Sequence, residues 1–240
     1  MGLQFWHLAH YYRPRTMVLR KLNTRYDGLP MQFFRRRLRI LDAGGGPSDA
    51  LKAKSMLDDC WYEGINIEEL PPASKQRRAY DRYHLVDLDK SDLAFLPDWS
   101  FDLVASSHTI EHLEDGLRVV ALLCDKVKPG GFLYLEWPSV ESVTFPIRGR
   151  GLRFDDDVTH RSTYGLAEMA ALVTGQGLRI EFARRRRQWL RILLGPFLIA
   201  YHSFRFRRVV LYDLWDVTGF CYALRAIRPA SGVVTKIADS

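Results

Sequence analysis

Hydrophobic and polar positions change period several times along the chain. Leu38-Arg-Ile-Leu-Asp42 is a short apolar run that meets Gly44-Gly45-Gly46-Pro47-Ser48. That order predicts a buried strand, a tight turn and a helix through Leu57. Trp61–Ile67, Tyr83–Asp87 and Phe101–Ser106 read as three further strands, and Gly116–Lys126 as a helix. Pro129-Gly130-Gly131 turns the chain into a fifth strand, Phe132–Glu136. Beyond Pro138 lies a loop rich in Gly, Pro and Asp, then a helix over Leu166–Thr174 and a strand over Leu178–Ala183. A final strand is expected over Val217–Ile227. Strands alternating with helices imply crossover connections and a mainly parallel sheet, an α/β fold.

Two stretches fall outside this rhythm. Residues 1–37 interleave aromatic and basic side chains, turn at Gly28-Leu29-Pro30 and end in Arg35-Arg36-Arg37, which predicts an N-terminal helical appendage. Residues 188–212 are apolar with basic flanks. The apolar part is too short for a membrane span and holds Arg191 and Gly195-Pro196. It is expected either as helices inserted over the site or as an interfacial segment, with residues 184–208 contacting an anionic membrane.

Composition narrows the class. The 240 residues are 47% hydrophobic, enough for a substantial core, with a formal net charge of +7. A basic chain favours an anionic partner: a phosphate-bearing substrate, a nucleic acid or an acidic membrane surface. The three cysteines form no C-x-x-C pair, so neither a disulfide framework nor a thiolate zinc site is expected, and a cytoplasmic setting fits. The N-terminus lacks the features of a secretion signal.

The glycine turn carries the first chemistry. A Walker loop needs Lys-Ser/Thr after its last glycine, and Pro47-Ser48 supplies none. A dinucleotide fingerprint needs a third glycine where Asp49 stands. Asp42, directly ahead of the turn, would repel phosphate but suits a ligand with a cationic group. A second motif, His108-Thr-Ile-Glu111-His112, matches the H-x-x-E-H order of inverted zinc peptidases. That order needs one continuous helix, whereas His108 follows straight from a predicted strand, so no metal is expected.

With these motifs in order, the chain resembles the class I S-adenosylmethionine-dependent methyltransferase superfamily, especially its quinone-biosynthesis-like and small-molecule branches. ILDAGGGPS is similar to the first motif of that superfamily, Ser100–Asp115 to the fourth-strand motif and Val127–Pro138 to the fifth-strand motif. The resemblance covers roughly residues 38–183. It implies a Rossmann-like seven-stranded sheet with helices on both faces and the last strand antiparallel, the methyltransferase domain occupying 38–240. It also implies S-adenosylmethionine as cofactor. Asp42 would then lie near the methionine amino group, with Gly44, Gly45 and Gly46 beside the cofactor. Asn66, with Ile67, stands where the superfamily puts an acidic ribose ligand, and Glu68 is the nearby substitute. Asp87, with Leu88, would meet the adenine amino group, Asp89 being the near alternative, and Ser106 and Ser107 the methionine portion.

On the acceptor side, methyl transfer needs in-line positioning and a base where the acceptor loses a proton. Candidates are His108, Glu111, His112, Glu136 and the run Phe154-Asp155-Asp156-Asp157-Val-Thr-His160, in a substrate loop of about 138–162. His160, Asp157 and His108 are the expected catalytic set. The expected acceptor is a small molecule or a glycan, methylated on oxygen. The FDDDVTH loop is similar to that of methyltransferases in surface-polysaccharide pathways. An RNA methyltransferase, disfavoured by short basic runs without an RNA-binding signature, and a non-catalytic partner-binding scaffold are the alternatives.

Overall fold

The computed structural model describes residues 25–26, 29–30, 33–34, 37–57, 59–145, 152–187, 189–207 and 215–230. The expected appendage therefore lies largely outside the described residues, as do 146–151 of the substrate loop and 208–212 of the basic-flanked segment. Seven strands form one sheet: β1 (Leu38–Ala43), β2 (Cys60–Asn66), β3 (Arg82–Leu85), β4 (Phe101–Ser107), β5 (Val127–Pro138), β6 (Arg179–Arg185) and β7 (Cys221–Ile227). Their order is β3-β2-β1-β4-β5-β7-β6. All neighbouring pairs are parallel except those of β7, which runs antiparallel to both β5 and β6. The expected fold, a Rossmann-like sheet with an antiparallel last strand, is the one observed.

Strand alternation divides the core between the two faces. Leu41, Ala43, Val104, Leu133 and Leu135 face α3 (Gly116–Lys126) and α4 (Leu166–Gly175), which bury Val119, Val120, Leu123, Met169 and Val173 against them. Leu38, Ile40, Leu103, Ala105, Phe132 and Tyr134 face the other way. That face is covered by α1 (Asp49–Met56), through Ala50, Ala53 and Met56, and by Tyr26, Phe33 and Phe34 from the N-terminal segment. Burying each such Leu, Ile or Phe contributes about 1.5–3 kcal/mol. α3 begins where the sequence says it should, because the Asp115 side chain accepts from the Arg118 backbone N–H at 2.9 Å.

Three local expectations change. A short helix, α2 (Lys75–Ala79), sits between β2 and β3 and carries only Ala79 as a buried residue, so it shows no apolar stripe. Residues 189–206 form one helix, α5, with Pro196 inside it. The apolar run Val217–Ile227 is split: Trp215–Thr218 is a short helix, α6, and the strand starts only at Cys221. The strand order reverses direction between β1 and β4. Their following loops diverge and open a crevice at the carboxyl ends of the strands, the usual ligand position in such sheets.

Candidate functional site

The loop after β1 is shaped by what lies beneath it. Asp42 is fully buried, and Arg25 donates to its Oδ2 at 3.0 Å. The Tyr62 hydroxyl donates to the same oxygen and accepts from Arg25 at 3.2 Å, and Arg25 also reaches Ser107 Oγ at 3.1 Å. Burial pushes the Asp42 carboxyl up, while Arg25 pulls it down. A Cβ on Gly45 would lie 2.3 Å from Asp42 Oδ2, so only glycine lets the loop cross this pair. Gly44 has φ +75°, and a Cβ there would fall 2.1 Å from Thr109 Oγ1. Ser106 Oγ donates to the Ala43 carbonyl at 3.1 Å and ties β4 to β1 behind the loop.

In front of the loop lies a cavity of about 580 Å³ at the carboxyl ends of β1–β4. Of the residues expected at a cofactor, Gly44, Asn66, Ile67, Asp87 and Leu88 line it, as does His108. Asp42, Gly45, Gly46 and Ser106 are not part of the lining. The Asn66 amide donates to the Gly45 carbonyl at 3.0 Å and accepts from the Glu68 N–H at 3.1 Å, holding two loops together. Asp87 pairs with Lys90 at 2.8 Å, and that bond holds its carboxyl below the usual range. The loop carrying Asp87 and Leu88 is braced from α3 by Arg118, whose guanidinium donates to the Leu88, Asp89 and Ser91 carbonyls at 2.8–2.9 Å.

The adjoining wall is built from the H-x-x-E-H segment, whose Thr109 hydroxyl meets the Ala43 carbonyl at 3.2 Å. His108 has φ +53° at the end of β4, and residues Ile110–His112 form a single 3₁₀ turn. The two histidines therefore diverge. His108 places Nδ1 3.2 Å from Glu111 Oε1 and Nε2 3.2 Å from Glu136 Oε1, with the Cys221 sulfur at 3.5 Å. Burial opposes its charge, but Cys221 and the two carboxylates outweigh burial and hold the imidazole well above its ordinary range. Glu136 also accepts from Arg186, which reaches Asp216 at 3.2 Å, and from Tyr134 at 2.5 Å. Although burial opposes it, Arg186 and His108 keep Glu136 far below the usual carboxylate range.

His112 belongs to the other side. Its Nδ1 lies 2.8 Å from Thr159 Oγ1, and its ring centroid 4.7 Å from that of His160. The expected loop is docked by backbone: Arg161 and Ser162 donate to the Glu111 carbonyl at 2.8 and 3.2 Å. His160 Nδ1 is 2.6 Å from the Phe154 carbonyl, and Nε2 is 4.0 Å from both Glu111 Oε1 and Asp157 Oδ2. Asp157 accepts from the Thr159 hydroxyl at 2.6 Å and backbone at 2.9 Å, bonds that lower its pKa. Thus His108 and His160 flank Glu111, and Asp157 joins them through His160. Sequence reasoning missed Arg25, Thr109 and Arg186. Arg25 carried no signal, since its partner lies seventeen positions away and other arginines surround it.

A sequence family described as "Methyltransferase domain" matches residues 10–181, well over half of the chain. The 27-O-demethylrifamycin SV methyltransferase of Amycolatopsis mediterranei is 30% identical over 102 residues, which are 40% of this chain and 37% of that protein. The chain's matches span little more than a third, or less, of the curated relatives' lengths, 37% and 25%. Among solved structures, an S-adenosylmethionine-dependent methyltransferase from Mesorhizobium loti is similar, with a TM-score of 0.56 at 19% identity, covering 89% of this chain and 95% of that one. Phosphoethanolamine N-methyltransferase 2 of Haemonchus contortus, solved with S-adenosyl-L-methionine, has a TM-score of 0.55 at 17% identity, covering 90% and 52%. At these identities the solved structures bear on the fold alone.

Proposed function

The chain belongs to the methyltransferase-domain family, and on that premise we propose that it moves a methyl group from S-adenosylmethionine to an oxygen of a small-molecule or glycan acceptor. The observation that carries this reading is the cavity of about 580 Å³, lined by bare Gly44 backbone, by Asp87 and Leu88, and by His112, Thr159 and Arg161. Its size is that of a small-molecule or cofactor site. Apolar Ile67, Val86 and Leu88 beside the carboxylates of Glu68 and Asp87 suit a nucleoside with ring hydroxyls and an exocyclic amine. The residues present therefore fit S-adenosylmethionine, which when bound supplies a methyl group activated by a sulfonium.

Within this reading Asp87 meets the adenine amino group, Leu88 and Ile67 pack the base, and the Gly44 backbone borders the methionine end, with Gly45 and Gly46 continuing the turn behind it. Asn66 is tied to Gly45 and Glu68, so Glu68 takes the ribose hydroxyls. Asp42 and Ser106 act from behind, by holding the loop. His112, Thr159 and Arg161 orient the acceptor for in-line approach. With the cofactor bound, a carbon–oxygen bond would form as its sulfur–carbon bond breaks, and the acceptor's proton would pass to Asp157 Oδ2, with Glu111 and His160 positioned beside it. His108, both of whose nitrogens face carboxylates, orients Glu111. Oxygen as the methylated atom is supported by the Amycolatopsis relative, whose name gives an O-demethylated small molecule as substrate. The net charge of +7 and Arg161 at the rim favour a phosphate-bearing acceptor such as a sugar nucleotide or lipid-linked glycan.

Calorimetry with S-adenosylhomocysteine is the first test, and absence of binding would sink the reading in favour of a scaffold. Methyl-labelled cofactor offered with sugar nucleotides, lipid-linked glycans, quinols and RNA then identifies the acceptor. Label appearing only in RNA would replace the acceptor class.

Peripheral membrane contact is part of the same proposal. Trp189, Leu193, Phe197, Tyr201 and Phe204 are 62–87% exposed and recur every three or four residues along α5, between exposed Arg187 and Arg207. An exposed apolar stripe with basic flanks suits an anionic bilayer surface. Among the described residues no helix is long and apolar enough to cross a membrane. Flotation with acidic vesicles should carry the protein, and a Phe197→Ser, Phe204→Ser double variant should stay behind. The three cysteines are buried and free, in keeping with a cytoplasmic setting.

A further inference from the structure

We propose that Glu111, His112 and His160 form a binding site for one divalent transition-metal ion of the zinc class at the acceptor end of the cavity. The three come from two separate segments, yet one potential ligand atom from each lies within 4.8 Å of the others. Two imidazoles and one carboxylate are a donor set that suits zinc and its neighbours better than calcium or magnesium.

The hydrogen bonds around the histidines decide which nitrogen holds a lone pair. His160 Nδ1 faces the Phe154 carbonyl at 2.6 Å, and a carbonyl only accepts, so the ring hydrogen sits on Nδ1. Nε2 is then the free donor atom. His112 Nδ1 faces the Thr159 hydroxyl, whose single proton goes to Asp157 Oδ1 at 2.6 Å, a carboxylate that only accepts. Thr159 therefore accepts from His112, and that ring too keeps its lone pair on Nε2. Fixing a ligand histidine by giving its other N–H to a carbonyl or a carboxylate-linked group is how metal sites set tautomer and orientation.

The carboxylate supplies an independent observation. Glu111 is 0% exposed; its Oε1 meets His108 at 3.2 Å and stands 4.0 Å from His160 Nε2, while Oε2 is buried with no hydrogen-bond partner. A buried carboxylate oxygen without a donor is costly, and a cation removes that cost. The other nearby trio, His108, Glu136 and Cys221, is a poorer host. Both His108 nitrogens face carboxylates, Glu136 is bonded to Arg186 and Tyr134, and the Cys221 sulfur already lies 3.5 Å from His108 Nε2. Because His112 and Thr159 line the cavity, the proposed site opens into it, which matches three protein ligands plus one free position. Its catalytic consequence, binding the acceptor hydroxyl and lowering that hydroxyl's pKa, rests on the methyl-transfer reading.

The test uses the full chain. Purified protein should contain, or after chelation take up, close to one zinc per chain, and Co²⁺ titration should give a visible d–d band saturating at that ratio. Glu111→Gln and His160→Ala should each weaken Co²⁺ binding at least about tenfold, by analogy with outer-shell losses. His112→Ala, at a partly exposed position, repeats the test where Glu111→Gln misfolds. Cys221→Ser should leave the band unchanged, and its loss there would move the site to the other trio and overturn the assignment. Folded protein that binds S-adenosylhomocysteine but no metal overturns the metal site alone. Metal uptake without S-adenosylhomocysteine binding overturns the methyl-transfer reading alone.

Discussion

The two ends of the cavity are built on different principles. The end bordered by β1, β2 and β3 is made of strand termini and backbone, with side chains that brace one another: Asn66 on Gly45, Arg118 on the 88–91 carbonyls, Arg25 on Asp42. The other end hangs from a single turn at 108–112 and a loop docked through the Glu111 carbonyl. Each end leaves one buried carboxylate oxygen without a hydrogen bond, Asp42 Oδ1 at the first and Glu111 Oε2 at the second, but only the second sets two histidines beside its carboxylate. A braced end favours one ligand shape, while a loop-built end can vary its acceptor without disturbing the first.

The sharpest way to break this contrast is Arg25→Ala. It strands the buried Asp42 carboxylate and should lower stability by about 3–5 kcal/mol in chemical denaturation. Arg25→Lys should restore part of the loss. If instead Arg25→Ala is as stable as the parent, the first end is not held together by that pair. Next in size is His160→Ala, which should cut turnover by about 10²–10⁴-fold while leaving S-adenosylhomocysteine affinity within twofold or so. A matching loss of cofactor affinity would show that the ends are one unit. Asp87→Ala should do the reverse and weaken cofactor binding about tenfold, or about 1.4 kcal/mol, with little change in turnover at saturation.

The smallest effect is a pH dependence behind the acceptor end. Glu141 accepts from Tyr222 at 2.6 Å and pairs with Arg185; although burial opposes it, these partners bring its carboxyl down to about 2. A depressed folded value stabilises the protein above the unfolded pKa near 4.5, and that contribution fades as pH falls from there towards about 2. Glu141→Gln should flatten this part of the stability curve, and an unchanged slope would remove Glu141 from the account.

The braced end is also the legible one. A strand followed by a glycine turn is written in neighbouring residues, and the motif resemblance it supports brought Gly44, Asn66, Asp87 and Leu88 to one cavity. Periodicity failed where an element had no stripe to show, as in Lys75–Ala79, or where an apolar run hid a break. In Val217–Ile227 the clue was Gly219, which turns the chain at φ +68° between α6 and β7. Asp216, buried against Arg186, belongs to the helix before it. At the acceptor end the residue types were visible but their pairings were not. His108 and His112 look like partners at four-residue spacing, yet His108 meets Glu136 and Cys221 while His112 meets Thr159 and His160.

The position of β7 has a consequence for how the chain is made. β6 touches the sheet through β7 alone among the described strands, and β7 is the last of the seven in sequence. During synthesis residues 179–185 emerge with no strand to join, and the row waits, one place short, for residues 221–227 to slide between β5 and β6. Until then an arginine-rich edge stands open, and like charge of that kind disfavours pairing with the same edge of a second chain.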